Sequence, residues 1–293
     1  MKTSLPVVLR VEEAVADTAD RTTLSFRRPD SAQAASGPAA ASGLDLGAFV
    51  PGQFFMVWLP RVDEKPYAIS HLDAERLAIT AQRRGPFSTA LCDLKPGAQV
   101  GLRGPFGRGF WGFGAGGSAG AALVGGGCGM AVLAPLAERL PGARIVQGSR
   151  SADKLFFMDR FPGQVIFTDD GSAGRRGFPT EWLAEQAEAR ALDMVYTCGP
   201  EQMMHAVAEV CRSAGVGCQA CMERYMKCGI GVCGQCDCDG RRVCVEGPVF
   251  DLNDLAAMPS FGLARRDKTG RRLPLSPEDK CPAAPLAGRK REP

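Results

Sequence analysis

Seven of the chain's 12 cysteines fall between Cys218 and Cys244. Thiols at that density decide how their segment folds, because they either pair with one another or bind metal. The start, Met1 to Arg10, carries one lysine and a strand-like run, without the long apolar block of a signal peptide. A cytoplasmic, reducing setting is therefore expected, and there a cysteine cluster signals metal chemistry rather than disulfides. The 293 residues leave room for roughly two ordinary domains. Basic and acidic side chains nearly balance, 35 against 32, so a broad nucleic-acid footprint is not expected. No run approaches the ~18–20 apolar residues that cross a bilayer, so no membrane partner is expected.

The remainder reads as three blocks and a tail. From Val7 to Arg103 the pattern is short and β-like, with candidate strands at 7–15, 22–27, 54–59, 68–71, 77–82 and 99–103. Turn pairs such as Pro51-Gly52 and Pro96-Gly97 separate them, which predicts a small antiparallel barrel. Ser31 to Gly43 is almost wholly Ala, Ser and Gly and reads as a flexible insertion. From Ala121 to Ala214, β-like runs alternate with helical ones at 130–140, 180–190 and 201–214, which predicts a parallel sheet covered by helices. The expected boundaries are 1–113 for the barrel, 114–216 for the nucleotide-binding α/β domain, 217–255 for the cysteine module and 256–293 for an extension disordered at its end.

The sharpest chemical signal is Cys228-Gly-Ile-Gly-Val-Cys233-Gly-Gln-Cys236, followed by Cys244. This is the C-x4-C-x2-C spacing of plant-type [2Fe–2S] sites, with a fourth thiolate beyond it. Gly229, Gly231 and Gly234 let the loop backbone approach the sulfides and donate N–H groups to sulfur. Asp239-Gly240 is a two-residue hairpin turn that returns Cys244 to the site. A zinc site is the alternative, with Cys218-x2-Cys221 and Cys233-x2-Cys236 as its four thiolates. In the iron–sulfur arrangement Cys218, Cys221 and Cys238 become small buried side chains.

A second signal is Gly125-Gly126-Gly127-Cys128-Gly129 between a strand and a helix. Such a turn presents N–H groups and a helix N-terminus to a phosphate, but a tight structural turn is an equal alternative. Cys198-Gly199-Pro200 follows the last strand at the same carboxyl edge, where open α/β sheets bind ligands. His71 and His205, the only histidines, have no partner at a telling spacing and read as structural. Met203-Met204 reads as the buried face of a helix. Arg150, after a strand, is either a ribose contact or a solvated side chain.

Barrel, nucleotide domain and cysteine module in this order resemble the ferredoxin-reductase superfamily. Within it the chain is similar to the electron-transfer subunits of two-component, NAD-dependent dihydroorotate dehydrogenases. The residues that carry this are Lys65-Pro-Tyr-Ala-Ile-Ser70, Gly104-Pro-Phe-Gly107, Gly125 to Gly129, Asp169-Asp-Gly-Ser172, Cys198 to Met204, and Glu223-Arg-Tyr-Met-Lys-Cys228 through Gly247-Pro-Val-Phe250. Residues 5 to 270 are covered, including Arg265-Arg266-Asp267.

The resemblance implies an FAD site, an NAD site and a [2Fe–2S] site. Lys65, Pro66, Tyr67 and Ala68 match the family's Arg-Pro-x-Ser flavin motif, with Lys65 toward the FAD pyrophosphate and Tyr67 facing the ring. Lys65 replaces the usual arginine and loses its bidentate fork; Ala68 replaces the usual serine. Ile79, Thr80 and Ala81, with Ser88 and Thr89, match the strand and turn that hold the adenosine half and the diphosphate. Gly125, Gly126, Gly127 and Gly129, with Cys198, Gly199 and Pro200, would flank NAD; Cys228, Cys233, Cys236 and Cys244 would ligate the cluster.

The implied activity is electron relay. NAD would exchange a hydride with FAD, and the one-electron [2Fe–2S] centre would connect FAD to an FMN-bearing catalytic subunit that oxidises dihydroorotate to orotate in pyrimidine biosynthesis. No residue of this chain is expected to act on dihydroorotate, and a hetero-oligomer is implied. Two alternatives stand beside this: the flavin and iron–sulfur subunit of a cytosolic hydrogenase or an anaerobic sulfite reductase, and a zinc-binding adaptor with no redox role.

Overall fold

The structure is a computed structural model that describes residues 5–29, 44, 46–113 and 118–275. The whole of the insertion expected at Ser31–Gly43 and the end of the C-terminal extension lie outside the described residues.

The first block is an antiparallel sheet of seven strands: β1 (Val7–Thr18), β2 (Arg21–Arg27), β3 (Phe54–Leu59), β4 (Asp63–Ala68), β5 (His71–Leu72), β6 (Arg76–Gln82) and β7 (Gln99–Phe106). Their order is β4-β3-β7-β1-β2-β6-β5, and the sheet curls so that β4 meets β6. Side chains on one face of each strand, Leu24 and Phe26, Phe55 and Val57, Leu77 and Ile79, Val100 and Leu102, fill the interior. The two-residue period of an extended strand puts each of these pairs on one face. One predicted strand moves. The chain is extended at Asp63–Ala68 rather than at 68–71, because Pro66 is tolerated on an edge strand, and β4 is one. A helix not expected from the sequence, α1 (Pro86–Cys92), follows β6. Pro86 opens it, and the hydroxyl of Ser88 accepts from the N–H groups of Arg84 and Gly85.

The second block alternates as expected: β8 (Ala121–Gly126), α2 (Gly129–Arg139), β9 (Arg144–Ser149), β10 (Val165–Thr168), β11 (Arg175–Arg176), α3 (Pro179–Glu188), β12 (Met194–Cys198), α4 (Glu201–Ala214) and β13 (Gly217–Cys221). The cysteine module follows with β14 (Asp237–Cys238), β15 (Arg241–Arg242), α5 (Val243–Glu246), β16 (Val249–Asp251) and α6 (Leu252–Ala256). A last hairpin pairs β17 (Ala264–Arg266) with β18 (Arg272–Pro274).

The second sheet runs β11-β10-β9-β8-β12-β13-β16, parallel except for β16. Helix α2 covers one face through Met130, Leu133 and Leu136, while α3 and α4 cover the other through Trp182, Leu183, Val207 and Val210. Chain order reverses between β8 and β12, which places a crevice at their carboxyl ends. The expected domain boundary at 216 falls just before β13, a strand of this same sheet. The cysteine module therefore grows from the sheet edge, with Cys221 opposite Val249.

Candidate functional site

The crevice is formed by two loops pressed backbone to backbone. Gly127 turns the chain out of β8 at φ +49, and α2 begins at Gly129. A Cβ on Gly129 would overlap the carbonyl oxygen of Cys198, and one on Gly199 would stand 2.8 Å from the amide nitrogen of Gly126. Only glycine permits this approach, so Gly125, Gly126, Gly127, Gly129, Cys198, Gly199 and Pro200 lie together at the α2 N-terminus. The thiol of Cys198 points away from the crevice and donates to the carbonyl of Cys221 (3.4 Å).

The flavin-motif residues occupy β4, facing this edge from the barrel. Tyr67 packs on Phe87 with ring centroids 6.1 Å apart, and burial pushes its phenol well up. Lys65 pairs with Asp63 and lies 5.4 Å from the centre of the Tyr225 ring. Ile79, Thr80 and Ala81 are buried in β6 behind them. The Thr80 hydroxyl bonds to Ser70 (2.9 Å) and Thr23 (2.7 Å), so it braces the barrel. Ser88 and Thr89 also serve their own turn, the Thr89 N–H donating to the carbonyl of Gly85 (2.9 Å). Gly85 itself borders open space: a Cβ there would meet nothing within 4 Å.

The cysteine loop gathers its four expected ligands as two pairs, Cys228 with Cys233 and Cys236 with Cys244. The N–H of Gly231 donates to the Cys244 sulfur (3.2 Å), that of Ile230 to Cys228 (3.5 Å), and that of Cys244 to Cys236 (3.4 Å). Burial raises the Cys228 thiol, but N–H donors from Cys233, Ile230 and Val232 bring it down to about 7. Gly229 and Gly231 have positive φ, and Cβ atoms there would press on Met56 (3.0 Å) and Val245 (2.6 Å). Two adjoining thiol pairs under N–H donors fit a two-iron cluster, one pair to each iron.

The alternative zinc quartet is not assembled. Cys218 lies beside Cys211 in the core under α3 and α4, whereas Cys221 lies beside Cys198 on the α2 face of the sheet. Cys238 is buried too, its sulfur accepting from Arg224 (3.2 Å). Among the described residues no group of three or more Cys, His, Asp or Glu is drawn close enough to hold a metal ion, and the four cysteines of the loop stand as two pairs.

Several arginines that sequence patterns did not single out tie these parts together. Arg21, 4% exposed on β2, donates to the Cys128 sulfur (3.3 Å) and the Lys154 carbonyl (2.8 Å), joining barrel to nucleotide turn. Cys128 in turn donates to Gln82 (3.4 Å), and Lys154 pairs with Asp20. Buried Arg224 pairs with Glu201 at the start of α4, and Glu201 also accepts from the N–H of Gly262 (2.9 Å). His71, read as structural, sits on the barrel between Asp73 (2.9 Å) and Glu138 of α2 (3.4 Å), and Arg160 donates to Glu138 (2.6 Å). Arg21 lies inside a β-like run, where an arginine carries no period of its own, and Arg224 and Arg160 lie outside the strands and helices with partners 23 and 22 residues away, so none of these pairings leaves a local pattern.

Comparison with known proteins agrees with this architecture. Residues 223–256 match the model of the iron–sulfur cluster binding domain of dihydroorotate dehydrogenase B. A probable dihydroorotate dehydrogenase B (NAD(+)), electron transfer subunit, of Thermococcus kodakarensis is 46% identical over 217 residues, covering 72% of this chain and 88% of that protein. Its counterpart in Methanopyrus kandleri is 44% identical over 230 residues, covering 75% and 86%. Among solved structures, the NADH-dependent reduced ferredoxin–NADP oxidoreductase superposes with a TM-score of 0.69 at 24% identity, over 85% of this chain and 89% of that one. Phthalate dioxygenase reductase does so with a TM-score of 0.54 at 20% identity, over 70% and 64%. The ferredoxin-reductase fold is thus shared with these structures, and at the identities above the chain belongs to the family of electron transfer subunits of NAD-dependent dihydroorotate dehydrogenase B.

Proposed function

We propose that the chain relays electrons between NAD and an FMN-bearing dihydroorotate dehydrogenase catalytic subunit, with which it forms a hetero-oligomer. FAD, when bound, exchanges electrons in pairs with a nicotinamide and singly with a [2Fe–2S] centre. The chain's own residues bind and align these groups. Pro66, Tyr67 and Ala68 would flank the flavin ring, with Lys65 near its pyrophosphate and Ile79, Thr80 and Ala81 behind the adenosine half. The turn from Gly85 through Ser88 and Thr89 would border the diphosphate. Gly125, Gly126, Gly127 and Gly129 would present N–H groups to the dinucleotide, with Gly199, Pro200 and the backbone of Cys198 on the opposite wall. Cys228, Cys233, Cys236 and Cys244 would supply the cluster thiolates.

One observation carries this reading above the others. A single apolar core runs from Phe54 and Met56 on the barrel, through Met203 and Met204 of α4, to Cys236 and Cys244. This shared core would hold the cluster thiolates against the barrel, as electron transfer between flavin and cluster requires. On the outer side of the module Ile230, Val232 and Val245 are exposed around the exposed Cys233, an apolar face suited to a protein partner. No helix among the described residues is long and apolar enough to cross a membrane, and we place the relay in the cytoplasm.

Purification of the chain with its native partner tests the assignment. A flavin-bearing dihydroorotate dehydrogenase catalytic subunit is the expected companion; a hydrogenase or sulfite reductase subunit would overturn it.

A further inference from the structure

The barrel and the cluster loop are joined by a second kind of contact besides the shared core. Arg103 of β7 lies opposite Met56 of β3, and Glu64 of β4 lies opposite Trp58 of the same strand. The guanidinium grips Glu64 with both arms, Nε to Oε1 at 2.7 Å and Nη2 to Oε2 at 2.6 Å. The same Nη2 donates to the backbone carbonyl of Cys228 at 3.0 Å. Phe106 covers the group from 5.4 Å, and Arg103 is 14% exposed.

We infer that Arg103 and Glu64 form a positioning pair that sets both the placement and the redox potential of the cluster relative to the flavin strand. Glu64 immediately precedes Lys65-Pro66-Tyr67, and Cys228 is the first cysteine of the loop. One side chain thus holds the flavin-bearing strand and the first thiolate donor in a fixed relation. A planar guanidinium satisfies the carboxylate fork and the carbonyl together; an ammonium, a point charge with no fork, cannot reproduce that geometry. The pair is also electrically asymmetric toward the loop. The cation touches the Cys228 carbonyl, while the carboxylate lies behind it. In a site shielded from water, a cation at that position favours the more negative, reduced state of a nearby redox centre.

This inference rests on the relay proposed above and predicts opposite signs for two neutralising changes. Arg103→Gln removes the cation and leaves the Glu64 charge, so the cluster midpoint potential falls. Glu64→Gln leaves the cation alone, so the potential rises. Arg103→Lys keeps the charge and loses the fork: the potential stays near wild type, while cluster reduction by reduced flavin slows roughly tenfold. The experiment is an anaerobic redox titration of the purified variants followed by electron paramagnetic resonance, with FAD content measured alongside. Opposite shifts in the two neutral variants support the pair. Shifts of the same sign, or none in either, overturn it, because a merely structural bridge moves both potentials alike. A wild-type chain that shows no cluster signal overturns the relay itself and this inference with it, a result distinct from equal shifts.

Discussion

The barrel meets the rest of the molecule along two seams of opposite character. Toward the cysteine module, the seam is chiefly an apolar core in which Phe54, Met56, Met203, Phe250, Cys236 and Cys244 pack together, with the Arg103–Glu64 pair as a charged clasp beside it. Toward the nucleotide turn, it is a set of polar contacts: Arg21 to Cys128, Lys154 to Asp20, and His71 to Glu138. Apolar burial is non-directional and tolerates no gap, whereas hydrogen bonds between long side chains break and re-form at little net cost. The difference suits the two tasks. An electron crossing to the cluster needs a fixed distance, and a dinucleotide entering beside the flavin needs a seam that can part.

Breaking the apolar seam is expected to do the most damage. Phe250→Ala empties a fully buried site and should cost about 3–5 kcal/mol. Loss of cluster absorbance together with a lower thermal midpoint would confirm it. Glu201→Ala, at the rim of this seam, strands the buried Arg224 charge, and a similar loss of about 3–5 kcal/mol in urea unfolding is expected. Cys228→Ser is narrower: iron and acid-labile sulfide should be lost, while bound FAD and NADH–dye reduction persist. Survival of intact cluster absorption in that variant would sink the ligand assignment.

The polar seam should yield smaller effects. Arg21→Ala removes the contacts to Cys128 and Lys154 but leaves both cores filled. Steady-state kinetics should show KM for NADH rising roughly tenfold, equivalent to about 1.4 kcal/mol, with FAD and cluster retained. The smallest effect concerns pH. Glu138 raises the pKa of His71, helped by Asp73 and opposed by burial and by Arg160. A raised value means the contribution is complete below the unfolded pKa of about 6.5 and fades as pH climbs through the folded value. Wild type and His71→Gln should therefore differ most in urea midpoint near pH 6 and converge in alkaline solution; a gap that widened with pH would contradict this.

These two seams were not equally legible in the sequence. The cysteine spacing and its glycines announced the module, because cluster geometry dictates both. The nucleotide turn was visible as Gly125–Gly129 between a strand and a helix, and Asp239-Gly240 forms the expected turn between β14 and β15. What escaped was contact between distant segments. Arg21 and Cys128 stand 107 residues apart, Arg103 and Cys228 stand 125 apart, and neither pair leaves a local pattern. Strand β4 was misplaced because Pro66 and its charged neighbours obey an edge position, which only the assembled sheet defines. Helix α1 escaped for a related reason, its cap being a turn that Ser88 closes on Arg84 and Gly85.

The central claim is that flavin and cluster share one electron path in this chain. Anaerobic titration with NADH, followed by absorbance, tests it most directly. Wild type should take up about three electron equivalents, two in the flavin and one in the cluster, and Cys228→Ser about two. A wild-type chain that stops at two, with its cluster still oxidised, would contradict the account.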